Sequence, residues 1–167
     1  MSQQLAHITP AHAKIARRRI LTAAELMLAH AASIHYSMGA DRWEGISKKL
    51  VATHGQYPKH ADCSSTLSWM YWQALYNTFG VRDIVNGEHW QGGFTGSMAR
   101  HGEHIIPRVG HLRVGDALLY GRGPDYEHTA IYIGGGMCFS HGSEPGPFKL
   151  EIGYRTDLAV ARRYIPA

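Results

Sequence analysis

The chain has 167 residues, 44% of them apolar and 18% charged, which is enough to bury a core without disulfide or metal staples. Its net charge of +4 and pI near 9.2 suit an anionic partner, and nucleic acid, a membrane surface and the bacterial wall all meet that description. No long uncharged apolar run and no signal peptide is read in it, so a membrane-spanning helix is not expected, and two cysteines are too few for a disulfide framework.

In chain order, Thr9 is a predicted N-cap with Pro10 at the first helical position, and a helix is expected from there to Ser33. The run Arg17 to Arg19 falls on this helix and reads as a solvated face. A second helix is expected over Trp43 to Ala52, then a loop with Gly55 and Pro58. Asp62 should cap a third helix running from Cys63 to about Asn77 and stopped by Gly80. Its apolar residues cover nearly every face, as in a helix packed at the centre of a domain. The glycine-rich stretch “NGEHWQGGFTGSMARHG” reads as an ordered loop. Strands are predicted at Asp116 to Tyr120, His128 to Ile133, Met137 to His141 and Val160 to Ile165. Helices first and an antiparallel sheet second make an α+β domain, one unit over residues 1–167.

Cys63 draws attention because the start of a helix is where a thiol becomes reactive. Unpaired N–H groups and the helix dipole favour a thiolate there, and the same N–H groups can hold an oxyanion. A cysteine nucleophile needs a base, and the base needs an orienting group. “HTAIYIGGGMCFSHGSE” supplies His128 on one hairpin strand and Ser140-His141 near the end of the next. With Gly134-Gly135 as a two-residue turn, Tyr132 pairs with Met137 and His128 lies opposite His141. A turn shifted by one residue puts Ser140 on that face instead. His141 is the preferred orienting group on chemical grounds, since an imidazole can accept from or donate to the other ring.

“DCSS” heading an apolar helix, “GD” opening a strand, then “HTAIYIGGG” and “SHGSE” resemble the NlpC-type cell-wall peptidases. These are papain-like cysteine enzymes that cut the stem peptides of peptidoglycan. More closely, “IHYS”, “ADCSS”, “GGFTGSM”, “SHGSEPGP” and “RRY” resemble the peptidase modules of lysins from phages of actinobacteria, over about residues 20–165. The resemblance implies a papain-like fold, Cys63 as nucleophile, His128 as general base and Tyr36 near the nucleophile, where it would help hold the oxyanion. The family's third residue, counted without gaps from His128, falls on Ser140, which leaves the orienting group open between Ser140, His141 and Glu144.

The expected activity is cleavage of an amide bond next to D-glutamate or a diamino acid in the stem peptide. The alternatives are a sugar–peptide amidase (N-acetylmuramoyl-L-alanine amidase) on the same triad, or a catalytically silent wall-binding or virion module. The expected partner is peptidoglycan, met by a monomer with no nucleic acid and no membrane insertion. No cofactor is expected. Twelve histidines raise the question of zinc, but His101, His104 and His111 lack a helical ligand motif. Cys138 is expected to be a small core residue. Trp90, Phe94 and Thr95 either line the substrate groove or fold their loop onto the domain. With neither wall-anchoring domain nor export signal in this reading, a lysin would be made in the host cytoplasm and act on the wall after release or from a virion.

Overall fold

The computed structural model describes the chain apart from residues 1–7, 45, 47–55, 77–78, 82, 88–91 and 167. Helix α1 spans Pro10–Ala29; the Thr9 hydroxyl accepts the His12 N–H, and Pro10 occupies the first turn. It stops short of Ser33, and Ala31–Ser33 form a separate 3-10 turn. The stripe Ala13, Ala16, Ile20, Ala23, Ala24 and Met27 is buried, its small residues letting α1 approach the central helix closely. Of the expected helix over 43–52, Trp43 ends a short 3-10 turn, Ala40–Trp43, and most of the rest lies outside the described residues.

Helix α2 spans Cys63–Tyr71 and continues as a π-turn over Trp72–Tyr76. It is enclosed on all sides: Leu67, Trp69, Met70, Tyr71, Trp72 and Leu75 are each at most 2% exposed. In the glycine-rich stretch a short helix, α3 (Thr95–Ala99), interrupts the expected loop. Two strands too short for a sequence pattern also pair: β1 (His35–Tyr36) runs parallel to β2 (His60–Ala61) just before α2.

The main sheet is antiparallel. Its strands are β3 (Glu103–Ile105), β4 (Ala117–Tyr120), β5 (His128–Gly134), β6 (Met137–Ser140), β7 (Phe148–Glu151) and β8 (Leu158–Arg163), in the spatial order β3-β8-β4-β5-β6-β7. Alternation sends Leu119, Ile131, Phe139 and Val160 towards the helices and Leu118, Ala130, Cys138 and Ala161 into a second core on the far face. Cys138 is fully buried there. The architecture is α+β, with helices packed on an antiparallel sheet in the papain-like arrangement.

The hairpin register differs from the expected one. Gly135-Gly136, not Gly134-Gly135, forms the turn, closed by the pair Gly134↔Met137, and a bulge between Tyr132 and Gly134 shifts the ladder beyond it. Tyr132 therefore faces Cys138 rather than Met137. Three consecutive glycines with φ of +96°, +60° and +76° make this possible, because each can take a left-handed conformation without strain.

“GD” also has a structural task. Asp116, 1% exposed, receives two hydrogen bonds from Arg163 at 2.9 and 2.6 Å and a third from the Arg113 N–H. The Tyr71 hydroxyl donates to the Gly115 carbonyl, tying α2 to the same point.

Candidate active site

Asp62 organises the start of α2 through a reciprocal cap. Its carboxylate accepts the Ser65 N–H at 2.7 Å and the Ser64 hydroxyl at 3.0 Å, while its own N–H donates to Ser65 Oγ at 2.9 Å. Arg42 sits 3.2 Å from the other carboxylate oxygen. The Thr66 N–H goes to the Asp62 carbonyl. Among the described residues this leaves the Cys63 and Ser64 N–H groups at the helix tip without a backbone acceptor, as an oxyanion site requires.

Cys63 is the first residue of α2 and keeps part of its surface exposed. Its thiol lies against the Thr129 backbone, the Thr95 hydroxyl and the Ser64 backbone. The helix terminus does not make it a thiolate at rest. Desolvation, then the charge of Asp62, push the thiol up to about 11 and outweigh those hydrogen bonds. The expectation of a lowered thiol pKa is corrected on this point.

His128 opens β5 and is buried. Its Nε2 is 2.9 Å from Ser140 Oγ. Ser140 shares its face because of the shifted hairpin register. The backbone passes close over the ring at Gly142, where an added Cβ would stand 2.9 Å from Cε1. Burial, reinforced by the nearby charge of Arg155, pushes the imidazole down to about 4. The thiol lies against the backbone of Thr129, the residue that follows His128, and thiol and imidazole are both neutral at pH 7. Among the described residues no hydrogen bond joins the sulfur to the ring, and Nδ1 is the ring nitrogen left for the proton.

His141 does not meet His128 as expected. It turns to the other side, 1% exposed, with Nδ1 3.4 Å from Thr66 Oγ1 on α2 and its ring edge-on to Tyr36 at 5.6 Å. Its Nε2 is buried without a partner among the described residues. Glu144 turns elsewhere too: its carboxylate accepts the Tyr36 N–H at 2.5 Å and stands 3.5 Å from His35. Tyr36 lies beside Cys63: burial, then the charges of Cys63 and Asp62, raise its pKa. Thr95, at the start of α3, touches the thiol, whereas Phe94 is half-exposed beneath Arg100. Trp90 lies outside the described residues. No group of three or more histidine, cysteine or carboxylate side chains converges as a metal site among the described residues. No described helix is long and apolar enough to cross a membrane. Sequence reasoning missed Tyr154, whose hydroxyl is 3.2 Å from Ser140 Oγ; it sits in a polar turn with no local pattern to mark it.

No family profile matches the sequence, and no curated protein matches it. Solved structures do resemble it in fold. The peptidoglycan hydrolase RipB from Mycobacterium tuberculosis superposes with a TM-score of 0.67 at 19% identity, over 100% of this chain and 73% of that one. A hypothetical invasion protein of the same organism gives 0.66 at 18%, over 96% and 67%. The NlpC/p60 domain of the peptidoglycan hydrolase SagA gives 0.57 at 23%, over 89% and 98%. At these identities the likeness is one of fold.

Proposed function

We propose that the chain is a cysteine hydrolase of bacterial peptidoglycan. The observation that carries this is a cysteine at the tip of a buried helix beside the strand whose first residue is a histidine already held by Nε2. The folds it resembles include proteins named as peptidoglycan hydrolases.

In this reading the substrate carbonyl enters at the tip of α2. Because thiol and imidazole are both neutral at rest, His128 Nδ1 takes the proton as Cys63 Sγ attacks, rather than beforehand. The Cys63 N–H and the Tyr36 hydroxyl receive the developing oxyanion. The imidazolium then gives its proton to the leaving amine, and water releases the acyl group by the same route in reverse. The substrate is a stem peptide, cut beside D-glutamate or a diamino acid, and the source is a phage lysin.

The test is digestion of purified sacculi with mass analysis of the products. New amino termini within stem peptides, absent with Cys63→Ala, are expected. Stems released whole from the sugar would make it an amidase instead. Intact sacculi with tight sedimentation of the protein would make it a silent wall-binding module.

A further inference from the structure

Resting on the hydrolase reading above, we propose that Tyr154 is a positioning residue for His128, acting through Ser140 as the outer member of a hydroxyl relay. His128 Nε2 lies 2.9 Å from Ser140 Oγ, and that oxygen lies 3.2 Å from the Tyr154 hydroxyl. A carboxylate beside the ring could only accept. A serine hydroxyl rotates, and can offer Nε2 either its lone pair or its proton. If it offered the proton, the ring would be held as the Nδ1–H tautomer, and Nδ1 could not take a proton from Cys63. An acceptor on the outer side of Ser140 decides between the two. With Tyr154 Oη receiving the Ser140 proton, Oγ presents its lone pair inward, Nε2 keeps its hydrogen and Nδ1 stays open.

The surroundings hold Tyr154 in that place. Its ring packs 5.3 Å from that of Tyr120 and edge-on to His128 at 6.3 Å, centroid to centroid. Tyr120 is itself fixed, its hydroxyl donating to the Ile152 carbonyl at 3.0 Å and its ring lying under the Arg155 guanidinium. Arg155 is tied to Asp157 and Glu127, which anchors the turn that carries Tyr154. Tyr154 is 38% exposed, so its own proton is free to point to water. Both hydroxyl dipoles then run outward from the ring and polarise one another in the sense that supports the imidazolium formed during attack.

Tyr154→Phe removes the acceptor and keeps the ring. Nitrogen-15 NMR of histidine-labelled protein without substrate should show His128 as the Nε2–H tautomer in the parent chain, and a shift towards Nδ1–H in Tyr154→Phe. On a soluble stem-peptide substrate the variant should lose about three- to tenfold in kcat with KM unchanged, the size of one neutral hydrogen bond. In a Ser140→Ala background it should lose nothing more. An unchanged His128 tautomer, or an equal kcat loss with and without Ser140, would overturn the relay. A parent protein inert on every wall fragment would sink the hydrolase reading instead, and the tautomer comparison would still decide the relay.

Discussion

Cys63 and His128 are displaced from their ordinary ionisation in opposite directions, chiefly by removal from water, and this gives the protein a stability window. Burial disfavours the imidazolium, so the unfolded chain binds a proton more readily than the folded one between pH 6.5 and about 4. His128 therefore contributes stability that is complete above pH 6.5 and lost as pH falls towards 4. Burial likewise disfavours the thiolate, so Cys63 contributes stability that is complete below pH 9 and lost as pH rises towards about 11. Thermal melts should show a plateau between these limits. His128→Gln should flatten the acid side, and an acid limb unchanged in that variant would refute the assignment. Alkylation offers a second check: iodoacetamide should label Cys63 slowly at pH 6 and steadily faster above pH 8. A fast, pH-independent rate from pH 5 upward would mean that a thiolate–imidazolium pair exists at rest.

At the scale of elements, the hairpin of β5 and β6 distributes the site. Its shifted register gives Ser140 to His128, while His141 goes to the other face, against Thr66 and Tyr36. Ser140→Ala should lower kcat about tenfold and leave the melting temperature nearly unchanged. His141→Ala should instead cost about 2 kcal/mol or more of stability, as a buried ring replaced by a cavity does. Loss of activity confined to His141→Ala would reverse this division. The start of α2 was legible in the sequence because its determinants are local: Asp62, Ser65 and the apolar run lie within a few residues of one another. The position of His128 at the head of a strand was legible for the same reason. The register was not, because three adjacent glycines tolerate positive φ equally and nothing nearby selects which two form the turn. The thiol's raised pKa was hidden in its larger part, since its first cause is burial by elements distant in sequence, and only the opposing charge of Asp62 is adjacent.

At the scale of the whole molecule, the fold class could be read from helices preceding strands, but not the strand order, which places β8 inside the sheet, between β3 and β4. The Asp116–Arg163 pair fastens it there, and Arg17 on α1 donates to the carbonyls of Ile165 and Pro166 at 3.1 and 2.6 Å just beyond. Neither link has a sequence signature, since each joins residues far apart in the chain. Arg163→Met should leave a buried carboxylate without its cation and cost about 3–5 kcal/mol. A melting temperature within a degree of the parent's would show that the pair is solvated and of little weight.

The place of β8 bears on when the sheet is completed during synthesis. Residues 158–163 are made after β4 and β5, yet they pair with β4, which in turn pairs with β5 where His128 begins. A nascent chain arrested before Leu158 has Cys63 and His128 on its already translated part, but β4 has an open edge and Asp116 lacks its counter-ion. The sheet that carries His128 is thus complete only once β8 has been made. Ribosome-bound chains of increasing length should stay protease-sensitive around β4 until Arg163 has cleared the exit tunnel, and become resistant in one step thereafter.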